Sequence, residues 1–265
     1  MFNFDSIRHM EYLVSKKKEM LESCQEEKIV LLGGSSVLYG FNTDKMQQRL
    51  GKPTINAGVN VGLGFRYLVD HIEPSLKPGD HVILPLEFGQ YLNPSYYIFG
   101  FGIDTFVHRK YWANRKKYNK KVKLFLMSLR HAKSSSTPEK MARRKATILT
   151  HTGCLQGMDA QLRNPQALTP LSFPESFHET EAMSEIKAFM KRCRNNNIQV
   201  TLLPPVFYAD NMPDYYLTEL YEYFCITVSP NIFRLKASEV YDSVYHANLG
   251  GQTRVTNKLI ALLGT

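Results

Sequence analysis

The sequence predicts an α/β protein built on a parallel sheet, and three observations carry that prediction. Short apolar runs alternate with helix-period segments at the pitch of β-α-β units. The first run, Ile29-Val-Leu-Leu-Gly-Gly-Ser-Ser-Val-Leu-Tyr-Gly40, passes from strand through a glycine-serine turn straight into a helix. Near the other end, Tyr241-Asp-Ser-Val-Tyr-His-Ala-Asn248 sets an acid and an imidazole four residues apart, just ahead of a terminal helix.

Taken in order, apolar residues at helical spacing over 5–24 (Ile7, Met10, Leu13, Val14, Met20, Leu21) predict an amphipathic opening helix. Strand one follows at Lys28–Leu32. Asn42-Thr-Asp supplies capping residues for a helix through Leu50. A short β-like run, Pro53–Ala57, enters the glycine-rich Ala57-Gly-Val-Asn-Val-Gly-Leu-Gly64. A helix is expected over Phe65–Leu76, a turn at Lys77-Pro-Gly-Asp80, and a buried third strand at His81–Leu86. From about 94 to 174 the alternation gives way to an insertion, aromatic at its front (Tyr96, Tyr97, Phe99, Phe101, Phe106, Tyr111, Trp112). Behind that front it is basic, with helices expected over Val122–Arg130 and Glu139–Leu149 and a break at Ser134–Pro138 between them. A helix over Glu179–Asn195, strand four at Ile198–Leu203, a helix over Pro213–Phe224, a fifth strand near Cys225–Val228 and a helix over Leu249–Leu263 complete the pattern. The expectation is one domain, 1–265, with five parallel strands and the insertion between strands three and four.

With 265 residues and 43% hydrophobic content, the chain is long enough for one substantial core. Cys24, Cys154, Cys193 and Cys225 lie far apart without the paired spacing of a zinc site or a disulfide framework, which points to a reducing compartment and to no metal. No secretory leader or membrane-length apolar run is evident. A soluble cytoplasmic protein is expected, with a membrane surface as an open alternative. The net charge of +9 is unevenly spread: Arg109–Lys145 carries fourteen Lys or Arg against one acid, Glu139, so the remainder is slightly acidic. Such a stretch meets an acidic glycan, anionic lipid or nucleic acid, or is simply a solvated face.

The chemistry-bearing residues sit where strand ends are expected. Ser35, two residues past strand one, is the candidate nucleophile; Ser36 is its rival, with a side chain directed along the helix start. A phosphate loop is excluded because no Lys-Ser or Lys-Thr follows the glycines at the needed spacing. After strand two, the backbone N–H of Gly58 or Gly62 could meet a substrate oxygen, and Asn60 between them is either a further donor or a turn former. Strand three ends in Leu86-Glu87-Phe88-Gly89-Gln90-Tyr91, where the Gln90 amide could donate to an oxyanion. Glu87 is either a substrate contact or a structural acid, for example one paired with an arginine of the insertion. His246 is the candidate base and Asp242 the acid that fixes its tautomer.

This order of parts resembles the SGNH or GDSL hydrolase superfamily, over 28–92 and 198–263 and not over the insertion. Gly33-Gly-Ser-Ser-Val-Leu-Tyr-Gly-Phe41 and Tyr241-Asp-Ser-Val-Tyr-His-Ala-Asn-Leu-Gly250 look most like a divergent branch encoded with bacterial surface-polysaccharide genes. The resemblance implies a three-layer, flavodoxin-like α/β/α fold and a catalytic set of Ser35, His246 and Asp242. The oxyanion hole it implies is made of Ser35, Gly62 and Gln90. Asn60, Glu87 and Tyr91 are the expected substrate contacts. Three departures stand out: Gly34 replaces the usual Asp, Gln90 the usual Asn, and the acid-to-base gap is one residue longer. The implied activity is serine-dependent O-acyl transfer or removal on a carbohydrate, without a cofactor. An acyl donor such as acetyl-CoA and a peripheral contact with anionic membrane are further expected partners, and specific nucleic acid binding is not. A catalytically silent glycan-binding or assembly protein and a membrane-surface lipid esterase are the alternatives.

Overall fold

The computed structural model describes residues 4–109, 121–135, 147–158, 168–209 and 214–264. The chain opens with α1 (Asp5–Ser23) and β1 (Ile29–Leu31), followed by α2 (Ser35–Gly40), α3 (Thr43–Leu50) and β2 (Thr54–Asn56). Next come α4 (Phe65–Ile72), β3 (His81–Pro85), α5 (Phe88–Leu92) and α6 (Ile98–Gly102). The insertion continues with α7 (Lys121–Ser135) and a small hairpin, β4 (Ile148–Leu149) with β5 (Leu155–Gln156). The last part holds α8 (Glu181–Asn195), β6 (Gln199–Leu203), α9 (Asp214–Phe224) and α10 (Leu249–Leu263).

Among the described residues the main sheet has four strands in the order β2-β1-β3-β6, every neighbouring pair parallel. Alternation along the strands divides the interior in two. Val30, Leu32, Val82, Leu84 and Leu202 face a core shared with α1, α4, α8 and α9. Ile29, Leu31, Ile83 and Leu203 face a second core with Met46 of α3 and Val255 and Leu259 of α10. A two-residue side-chain period buried on both faces requires helices on both faces, an arrangement compatible with three layers. The crossing from β1 to β3 is pinned by a fully buried ion pair, Lys28 Nζ to Asp80 Oδ2 at 2.9 Å, while Asp80 Oδ1 also accepts from the Lys28 amide.

The expected fifth strand near Cys225–Val228 is replaced by a turn. Cys225 takes a left-handed conformation (φ 53°) as α9 ends, and the amides of Cys225 and Ile226 are spent on the carbonyls of Glu222 and Tyr221. The chain instead pairs later, through an isolated parallel bridge between Arg234 and Phe207, four residues past β6 and outside the sheet's strands. The helix expected through Leu76 stops at Ile72 and tightens into a 3-10 turn over Glu73–Ser75, which contains Pro74.

In the insertion, Ile148 and Leu149 form a strand rather than the end of a helix. Residues 139–146 of that expected helix lie outside the described residues, as do Tyr111, Trp112 and 136–138 of the expected break, while Ser134 and Ser135, expected to begin the break, instead end α7. The hairpin turn depends on Gly153, at φ 87°: a Cβ there would stand 2.7 Å from the Asn56 carbonyl oxygen. That close approach lets the fully buried Lys17 of α1 donate to both the Asn56 and the Gly153 carbonyls, stapling the insertion to the end of β2.

Candidate functional site

The site is assembled at the carboxyl ends of β1 and β3, which are adjacent in the sheet. β1 delivers Ser35 to the first turn of α2, 6% exposed, and β3 delivers Glu87, which is fully buried. Their side chains meet: Ser35 Oγ donates to Glu87 Oε1 at 3.1 Å, and the Ser36 amide donates to the same oxygen at 2.7 Å. Gly34 makes this possible, because a Cβ at that position would lie 2.3 Å from Glu87 Oε1. The residue without a side chain after β1 and the carboxylate after β3 are two halves of one packing solution. No arginine of the described insertion takes part in the hydrogen bonds of Glu87.

Burial pushes the Glu87 carboxyl above its ordinary value, opposed by the Ser36 amide, by the charge of His246 and by the Ser35 hydroxyl. Its second oxygen, Oε2, is buried with no hydrogen-bond partner. Such an acid is held towards its neutral form.

Gln90 lies three residues on, in α5, and is also buried. Its Oε1 accepts from the Gly34 amide and from the Glu87 amide, both at 3.1 Å. Two N–H donors on one atom identify that atom as the oxygen, so the NH₂ group is the other terminus. This Nε2 is buried without a partner, a donor with nothing to donate to in the resting protein.

The base arrives from the other end of the chain. The Tyr241 amide bonds the His246 carbonyl, the His246 amide bonds the Ser243 carbonyl, and Val240 bridges Ala247 antiparallel, so the loop closes on itself. Across it, His246 Nδ1 and Asp242 Oδ1 are 2.6 Å apart. That pairing leaves Nε2 as the ring nitrogen directed elsewhere. Asn248 then caps α10 by accepting from the Gly251 amide.

The loop is brought over α2 by Tyr39, whose ring stacks on the His246 imidazole with centroids 4.0 Å apart and planes 10° from parallel. Tyr39 is four residues after Ser35 and therefore on the same helical face. Among the described residues no hydrogen bond joins Ser35 to His246; the serine hydroxyl donates to Glu87 instead.

Other expected site residues are placed as follows. Ser36 is fully buried. Asn60 opens a 3-10 turn over Val61–Leu63 and its Oδ1 accepts from the Gly62 amide at 2.8 Å, so that N–H is already satisfied. The Gly58 amide is likewise taken, by Asn56 Oδ1 at 3.0 Å. Tyr91, expected to touch substrate, is packed in the core with its ring 5.3 Å from Phe224. In the described part of the insertion's aromatic front, Tyr96, Phe99 and Phe101 are buried, and Phe99 fills the space a Gly62 side chain would need.

Two residues of the site escaped sequence reasoning. Tyr39 had a usable signal in its helical spacing from Ser35. Tyr245 had none: it receives the Phe88 amide on its oxygen, and burial, reinforced by Glu87, raises its phenol well above the ordinary value. Among the described residues no group of three or more His, Cys, Asp or Glu is placed to hold a metal ion, and no helix is long and apolar enough to cross a membrane.

No protein-family model matches the sequence, and no curated protein matches it. One solved structure that it resembles, a protein from Streptococcus pneumonia provisionally described as a platelet activating factor, is 15% identical. The match covers 97% of this chain and 93% of that one, with a TM-score of 0.36, too low to bear on fold detail or function.

Proposed function

We propose that the protein carries out serine-dependent acyl-ester chemistry, removing or transferring an O-acyl group on a carbohydrate through an acyl-Ser35 intermediate. The observation that supports this most is the Asp242–His246 pair, closed at 2.6 Å and stacked on a tyrosine one helical turn from a strand-end serine. In this reading Ser35 turns from Glu87 towards Nε2 of His246, which takes its proton as the hydroxyl attacks the ester carbonyl. The Gln90 Nε2–H group then meets the oxyanion. His246 returns the proton to the leaving alkoxide. In the second half, water or a sugar hydroxyl, deprotonated by His246, displaces the acyl group from Ser35. The carbohydrate is the substrate class that the resemblance to polysaccharide-associated hydrolases implies, and an acyl thioester is the donor class if the reaction is transfer.

A silent binding or assembly role has one observation in its favour: in the resting protein both the serine hydroxyl and the Gly62 amide are satisfied internally. Labelling by a fluorophosphonate and turnover of p-nitrophenyl acetate separate the two readings. The wild type is expected to label and turn over, and Ser35→Ala to lose both, with at least a thousandfold drop in turnover. Equal labelling of the two proteins, or none of either, would sink the catalytic reading.

A further inference from the structure

The helix α7 shows its apolar residues to two sides. Leu124, Ser128 and Ala132 are buried against the domain, with Ser128 Oγ donating to the Ile98 carbonyl at 2.9 Å and His131 set edge-on to Phe99 at 4.9 Å. A second stripe at helical spacing points out: Val122 is 74% exposed and Leu126 59%, with the half-buried Leu129 continuing the row and Phe125, 38% exposed, at its edge with its ring also against Phe106. Lys123, Arg130 and Lys133 are exposed beside it, and the helix sequence contains no acid at all. Because the inner stripe already holds α7 in place, the outer apolar stripe is neither a folding core nor a helix in search of one.

We infer that this outer face of α7 docks the protein on an anionic lipid surface, the apolar side chains entering the headgroup boundary while the flanking lysines and arginine meet lipid phosphates and carboxylates. The chemistry favours this occupant over a soluble polyanion or another protein. A polyanion would use the cations but leave exposed Val122 and Leu126 unexplained, and an apolar protein groove would have no use for a cation row without acids. The wider segment adds to the attraction, with fourteen Lys or Arg between Arg109 and Lys145 against one acid.

The face also has a structural route to the candidate site. α7 packs on α6, and Phe99 of α6 rests against Gly62, whose loop lies beside Gly34. Docking there would hold the site close to the lipid layer, where an acyl ester on a lipid-linked or interfacial molecule is presented. The binding itself does not depend on the catalytic reading.

Co-sedimentation with vesicles tests it. The wild type is expected to pellet with vesicles of phosphatidylcholine and phosphatidylserine in equal parts and not with phosphatidylcholine alone, and to be released by high salt. Reversing charge at Lys123, Arg130 and Lys133 together should weaken binding at least about a hundredfold, from about fivefold per charge near an anionic leaflet. Leu126→Asp, at an exposed position that leaves folding intact by circular dichroism, should weaken it by about tenfold or more. Ser35→Ala should bind as the wild type does, so that loss of chemistry and loss of docking are read separately. Binding unaffected by Leu126→Asp but abolished by charge reversal would mean a polyanion site and overturn the proposal. Absence of vesicle binding by the wild type would also overturn it.

Discussion

The two halves of the candidate site are built in opposite ways. The nucleophile half consists of strand ends and first helical turns, fully or nearly buried, in which Gly34, Ser35, Ser36, Glu87 and Gln90 share a single hydrogen-bond network. The base half is a part-exposed loop closed by its own backbone bonds, and it meets the first half through the Tyr39 ring stacked on His246 and through Tyr245, whose oxygen receives the Phe88 amide. In the first half, polar side chains hold the fold and are also the groups a reaction would use. In the second, main-chain hydrogen bonds close the loop, and the Asp242–His246 pair is not among them. Stability and activity should therefore be inseparable in one half and separable in the other.

Asp242→Asn is the sharpest way to break that contrast, and has the largest expected effect. The amide leaves the loop's backbone bonds untouched but no longer holds the Nδ1–H tautomer, so kcat on an activated ester is expected to fall about ten-thousandfold. The unfolding free energy should move by less than about 1 kcal/mol, as for a part-exposed pair. A loss of stability as large as the loss of activity would show that the loop depends on the pair.

Gln90→Leu should behave differently. Removing a preorganised donor is expected to cost about a hundredfold to a thousandfold in kcat. The same change strips the acceptor from two buried amides, those of Gly34 and Glu87, and should cost about 1–3 kcal/mol of stability for each amide left unpaired. Urea unfolding alongside ester turnover reads both. If Gln90→Leu spares stability while activity falls, the network is not what holds the first half together.

The same contrast explains what could be read from the sequence. Strand periodicity and capping residues are local, and the four sheet strands, α1, α3, α8 and α10 fall where their patterns put them, within a few residues. The spacing of Asp242 and His246 is local too, and the loop brings them together. What escaped were facts of adjacency. That Glu87 reaches Ser35 follows from β3 lying next to β1, a property of strand order that no run of residues displays. That Tyr91 is core and Gln90 is site, one position apart, follows from how α5 is rotated on the domain. The missing fifth strand is a competition for amides at the end of α9, which composition cannot rank. Gly34 is the instructive case. It departs from the resembled pattern, and it leaves the space that the Glu87 carboxylate, following the neighbouring strand, fills.

The smallest expected effect is the one most specific to the buried half. Because burial raises the Glu87 carboxyl, the folded protein holds a proton there that the unfolded chain has already released. The stability Glu87 contributes is therefore complete below the ordinary carboxyl value and is lost as pH rises through the raised one. Glu87→Gln keeps an oxygen for the Ser36 amide and the Ser35 hydroxyl but cannot ionise. Relative to the wild type it should gain stability as pH rises above the ordinary carboxyl value, with a slope no steeper than about 1.4 kcal/mol per pH unit, the limit for one proton. Urea unfolding of both proteins across that range gives the difference directly, and groups common to both cancel. A difference that does not change with pH would mean that Glu87 stays ionised beside Ser35. A difference that falls with pH in unfolding carried below the ordinary carboxyl value would mean that the Ser36 amide, the Ser35 hydroxyl and His246 outweigh burial, and the nucleophile half would then be organised around a fixed negative charge rather than a neutral acid.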